Sequence, residues 1–170
     1  MKKFDVFIDL QDKCWKNEIA DVQKLATDCK DAVVLSVRDD VSFLKKNKNF
    51  AVNLALSDDK TVWNLNKKFR GIDRPTNVLS FASIDDEGFE EELEFESDVA
   101  VGDVIIAYET MKAEAEDLGL SLAAHFCHLW VHGLLHVLGY DHIKEDERFE
   151  MEAKEIEILK KLGVSNPYDD

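Results

Sequence analysis

Proline is scarce in this chain of 170 residues, where Pro75 and Pro167 are the only two. No Gly/Ser-rich stretch marks a linker and no internal repeat is visible. The length therefore suits one domain, 1–170, with a core of its own. Cysteine is also sparse. Cys14, Cys29 and Cys127 are odd in number and lack CxxC spacing, which fits reduced, structural thiols rather than a disulfide framework. Long apolar runs are missing. The longest ones contain histidines and fall short of the roughly 20 residues that a membrane span needs. The basic start, MKKF, resembles the opening of a signal peptide, but Asp5 and Asp9 interrupt any apolar segment behind it. The expectation is a cytoplasmic protein with no membrane partner.

Positive charge is the other quantity in short supply. Lys and Arg number 21 against 36 Asp and Glu, for a net charge of −15. Taken as a whole-molecule average, that charge argues against a nucleic-acid partner. The distribution matters more. The segment SIDDEGFEEELEFESD, residues 83–98, holds nine acidic residues and no basic one. Just upstream, LNKKFRGIDRPTN carries Lys67, Lys68, Arg70 and Arg74 against a single Asp73. A basic surface is therefore available beside an acidic loop, although solvated surface alone accounts for charge runs of this kind.

Alternation predicts strands in FDVFIDL (4–10), NFAVNLAL (49–56), NVLSFAS and VAVGDVIIA. Helical spacing covers Asn17 to about Val37, although VVLSV reads equally as a strand. Ser57 precedes a capped helix that Gly71 closes, and Pro75 sits in a turn. Helices follow at roughly 108–118, 121–138 and 145–162, the last stopped by Gly163. Strands early and helices late predict an α+β (mixed α/β) domain. The 121–138 helix is apolar nearly all round, which is the mark of a buried helix. Its histidines are therefore conspicuous.

All five histidines lie between 125 and 142. At 100° per residue, His125, His128, His132 and His136 share one arc of the helix, and Cys127 points to the other side. His132 and His136 stand one turn apart, with Cβ atoms about 6 Å from each other, so two imidazoles can converge on one ion. Gly139 offers the helix an end, after which His142 returns as a third ligand. Three protein ligands with one open position form the pattern of a catalytic zinc site, and imidazole favours zinc and its neighbours over magnesium. His128, one turn below His132, is a rival ligand that more often takes a supporting role. His125 stands about 10 Å along the axis from His132, too far to share its ion.

The stretch HLWVHGLLHVLGYDH (His128–His142) resembles the signature of the YbeY family of bacterial endoribonucleases. The likeness continues in LNKKFRGIDRPTNVLSF, GDVIIA, MEAKEIEILKKLG and the closing NPY, covering about two-thirds of the chain. The acidic 83–98 loop looks extended against that pattern. The resemblance implies a small four-stranded sheet packed on the central buried helix that carries the ligands. It implies one Zn²⁺ on His132, His136 and His142, with Arg70 and His132 catalytic. It further implies single-strand-specific cleavage of ribosomal RNA in 16S 3′-end maturation and ribosome quality control, with small-subunit proteins as further partners. Lys67, Lys68 and Arg74 then join Arg70 as substrate-binding candidates. Without the resemblance, an ion pair with Asp73 is the simpler role for Arg70.

Two other classes compete. A zinc protease uses the Glu of HExxH as general base, but HGLLH has Gly133 at that position. A non-catalytic, zinc-stabilised ribosome-assembly module would also use three histidines. Asp141 beside His142 suits the orienting of a ligand better than proton transfer. Thr76 and Asn77 suit turn chemistry, and Ser80 is a further phosphate-contact candidate.

Overall fold

The computed structural model describes residues 1–169. Four strands form one sheet in the order β1-β2-β4-β3: β1 (Lys3–Leu10), β2 (Asn49–Ser57), β3 (Val78–Ala82) and β4 (Asp98–Ala107). β1, β2 and β4 run parallel, and β3 pairs antiparallel with β4. Between β1 and β2 the chain makes α1 (Cys14–Glu18) and α2 (Val22–Val37). The remaining helices are α3 (Asp59–Arg70), α4 (Phe89–Phe95), α5 (Tyr108–Leu118), α6 (Leu122–Val137) and α7 (Glu145–Lys161). The expected mixed α+β fold and four-stranded sheet are both present.

One sheet face supplies Phe50, Val52, Leu54 and Leu56 from β2 and Val104 and Ile106 from β4, all buried against α2 and α6. Removing such side chains from water, at about 25 cal/mol per Å² of apolar surface, is what holds the layers together. α6 is buried nearly all round, and Trp130 at its centre satisfies its indole by donating to the Ala26 carbonyl at 2.9 Å. On the far face of the sheet, α3 packs Val62 over Leu79 and Ala107. The helix covers β3 and β4, and its last turn, with Lys67, Lys68 and Arg70, ends beside β3. Cations suit the carbonyl end of a helix.

Gly133 fixes how closely α6 approaches β4. A Cβ at that position would stand 2.7 Å from Val104 Cγ1, so any larger residue would push helix from sheet. The glycine that a protease reading would need as glutamate thus faces the sheet.

Three sequence expectations change. The long helix from Asn17 is broken: Ile19 leaves α1 extended, and Asp21, at φ 46°, caps α2 by accepting from the Lys24 amide. VVLSV is helical. The cap of α3 is Asp58, whose carboxylate accepts from the Thr61 amide, whereas Ser57 ends β2 and is buried. The acidic 83–98 stretch is not a loop. It folds as a 3₁₀ turn and α4, with Phe89 and Leu93 buried one helical turn apart. Those two anchors explain the fold of an otherwise acidic segment. Deleting it would remove part of the core.

Candidate metal centre

α6 presents His128, His132 and His136 along one side, toward a pocket of about 590 Å³. Gly139, at φ 105°, turns the chain after α6, and its amide donates to the His136 carbonyl at 3.0 Å. A left-handed conformation of this kind costs glycine little, and it sends Asp141 and His142 back over the pocket. Ring centroids lie 4.8 Å apart for His132–His136 and for His136–His142, and 5.7 Å apart for His132–His142. One nitrogen from each ring lies within 4.8 Å of the others. Among the described residues, no other group of His, Cys, Asp and Glu is so placed.

The donor set fits a divalent ion by its chemistry. Burial, reinforced by His132 and His142, pushes the His136 imidazole down to about 4, so it is neutral and able to ligate at pH 7. Asp141 Oδ1 accepts from the His142 backbone amide at 2.7 Å and lies 3.5 Å from His142 Nδ1. His132 Nδ1 contacts a carboxylate that sequence reasoning missed, Glu155 Oε1 on α7. That contact leaves His132 Nε2 for an ion.

Glu155 is fully buried. Burial alone would push its carboxyl up. The His128 and His132 imidazoles and the Tyr168 hydroxyl outweigh that and hold it at about 2. The Tyr168 hydroxyl donates to Glu155 Oε2, and His128 Nε2 stands 3.7 Å from the same oxygen. One carboxylate thus ties α6, α7 and the C-terminal segment together. Glu155→Gln is expected to lower metal affinity about 10- to 100-fold while preserving the circular dichroism spectrum. Unchanged affinity in a chelator competition would show that the His132 contact does not support ligation.

His128 stands beside Glu155 and the Tyr168 ring, outside the triad. His125 is buried, its Nε2 lies 3.2 Å from Glu114 Oε1, and it takes no part in the triad. Cys127 packs on the other side of α6, its sulfur 3.4 Å from that of Cys29.

The basic segment divides. Arg70 and Arg74 line the pocket with Thr76, Asn77 and Ser80; Lys67 and Lys68 do not. Arg70 makes no ion pair with Asp73. Its Nη2 donates to the Ser80 carbonyl at 2.6 Å, and its guanidinium lies 5.1 Å from the Phe81 centroid. Asp73 accepts instead from the Trp63 indole at 2.8 Å and lies 3.9 Å from Lys67. Asn66, a second residue missed in the sequence, is buried and donates to the Arg74 carbonyl at 2.9 Å, pinning the loop. Asn77 is committed to structural bonds at the pocket wall, donating to Glu114 and accepting from the Val78 amide at 2.7 Å.

The depressed His136 value has a consequence for stability. The unfolded imidazole titrates near 6.5 and the folded one near 4, so below 6.5 protons bind the unfolded chain first. This stabilising contribution is complete above 6.5 and is lost as the pH falls toward 4. In metal-free protein the melting temperature should drop between pH 6.5 and 5, with a smaller drop in His136→Ala. A flat wild-type profile over that window would contradict the burial argument.

A family model described as endoribonuclease YbeY matches residues 10–163, reaching far upstream of the basic segment. An endoribonuclease YbeY of Paramagnetospirillum magneticum is 52% identical over 117 residues, covering 69% of this chain and 70% of that one. The endoribonuclease YbeY of Bradyrhizobium diazoefficiens is 41% identical over 157 residues, covering 92% and 81%. The solution structure of a Thermotoga maritima protein superposes with a TM-score of 0.55 at 20% identity, covering 97% of this chain and 99% of that one, a likeness of fold. By family match and by identity over most of its length, the chain belongs to the YbeY endoribonuclease family.

Proposed function

We propose that this protein is a cytoplasmic, zinc-dependent endoribonuclease that cuts single-stranded segments of ribosomal RNA, in 16S 3′-end maturation and in ribosome quality control. The carrying observation is that a three-histidine donor set and two arginines without carboxylate partners, among the described residues, share one open pocket. Relatives named endoribonucleases support RNA as the substrate.

His132, His136 and His142 would hold the ion, which when bound supplies Lewis acidity beside a phosphate. The chain's own groups do the remaining work. Glu155 accepts from His132 Nδ1 and fixes the ring's orientation, so His132 would serve catalysis through the ion that its Nε2 helps hold. Arg70 spends one N–H on the Ser80 carbonyl and is backed by the Phe81 ring, so its other N–H groups are free to grip phosphate oxygens. Arg74 adds a second charge from the pinned loop. Lys67 and Lys68, exposed on the last turn of α3, extend the positive surface to RNA backbone beyond the pocket. The acidic outer side of α4 suits a basic small-subunit protein. A protease reading loses both its base and the space for one, because Gly133 abuts Val104.

The test uses a ribosomal RNA fragment with an unpaired 3′ extension. Metal-loaded protein should cut it; chelated protein and His132→Ala should not, with circular dichroism retained. Cleavage that survives chelation would sink the reading. An ion whose removal unfolds the protein, with no cleavage before or after, would leave a zinc-stabilised assembly module.

A further inference from the structure

The ligands and arginines of the pocket read charge, and charge does not distinguish one nucleotide from another or an unpaired strand from a paired one. Tyr168 is a different kind of group. A tyrosine usually buries its ring and leaves its hydroxyl in water. Here the arrangement is reversed. The hydroxyl donates to the fully buried Glu155, while the residue as a whole is 43% exposed and lines the same pocket as the histidines and Arg70.

The ring is also held firmly. It meets the His128 ring edge-on, with centroids 5.8 Å apart and planes at 86°. Its backbone amide donates to Asn166 Oδ1 at 2.8 Å, and Pro167 restricts the chain just before it. An aromatic residue ordered this well but left partly uncovered is ready to stack, because little entropy remains to be lost. The placement suits a nucleotide. Arg70 comes from the side of β3 and Tyr168 from the side of α7, with α6 packed against both elements. A phosphate gripped near Arg70 and the triad would leave its nucleoside to extend toward the tyrosine. Ile72 and Ile143, both exposed, add apolar surface to the same rim.

We propose that the Tyr168 ring is the stacking platform for an unpaired nucleobase beside the scissile phosphate, and so a specificity-determining residue for single-stranded RNA. The proposal rests on the endoribonuclease reading. A base in a duplex already has its faces covered by neighbours, whereas a single-stranded base can be splayed onto an aromatic ring.

The probe is a fluorescent 2′-O-methyl RNA octamer, which resists cleavage, titrated into metal-loaded protein as a single strand and as a duplex. Tyr168→Ala should weaken single-strand binding about 5- to 150-fold, the range expected for losing one base–aromatic stack. Duplex binding should stay within about twofold in the same assay. Tyr168→Phe removes the same hydroxyl but keeps the ring, so any effect passing through Glu155 is common to both variants; it should bind the single strand nearly as wild type does. An abasic site walked along the probe should weaken wild type at one position, and Tyr168→Ala should lose nothing further there. Equal single-strand binding by wild type and Tyr168→Ala, or equal losses in the Phe and Ala variants, would overturn the proposal while wild type still cut RNA. A wild-type protein that neither binds nor cuts RNA would overturn the endoribonuclease reading itself.

Discussion

Replacing His136 with alanine is expected to abolish stoichiometric metal binding and reduce RNA cleavage to background. The triad has no spare member among the described residues. His128 cannot substitute readily, because it lies against Glu155 and the Tyr168 ring. His136 is prepared for the role, since burial and its two histidine neighbours keep it unprotonated. Elemental analysis of protein purified without chelators gives the answer directly, with about one equivalent in wild type and almost none in the variant. His125→Ala is the control. It removes a buried imidazole and one of the partners of Glu114, which Asn77 still holds, so it should destabilise the fold but keep the metal. Equal metal loss in both variants would place the site elsewhere.

The triad was legible in the sequence because helical geometry is simple. A residue's direction on α6 follows from its number, and an HxxxH pair followed across a Gly turn by a third histidine leaves few structural explanations. Glu155 was not legible in the same way. It sits on the buried stripe of α7 with Met151, Ile158 and Leu159, where a carboxylate breaks the apolar pattern. That break was the available signal. Its meaning depended on α7 crossing beneath His132, which no local pattern specifies. Tyr168 and Asn66 were hidden for the same reason, since each acts through a partner at least eight residues away in sequence. The acidic stretch misled because charge drew more notice than the spacing of Phe89 and Leu93, four residues apart. The sheet was read correctly because buried strands announce themselves locally. The break between α1 and α2 rested on the φ of Asp21, which sequence does not display.

Arg70→Ala is expected to lower RNA cleavage about 10²- to 10³-fold or more, since that is the usual cost of removing even one neutral donor aimed at a reacting oxyanion. Metal content should not change, because Arg70 touches Ser80 and Phe81 and none of the three ligands. This variant also addresses how a chain with a net charge of −15 binds a polyanion. Screening at physiological salt confines exposed charges to about 8 Å, so the groups within the pocket outweigh the distant excess of carboxylates. Those groups include Asp85 and Asp141 as well as Arg70 and Arg74, so the arginines and the ion must carry the balance. Losing either arginine should therefore cost more than the same change on a neutral surface. Arg70→Lys should recover only part of the rate, since an ammonium cannot donate to Ser80 and grip two phosphate oxygens at once. Lys67→Ala should have a far smaller effect, visible mainly at low salt, because Lys67 is already near Asp73 and outside the pocket. If Arg70→Ala cuts RNA as fast as wild type, the phosphate lies elsewhere and the arginine only ties α3 to β3.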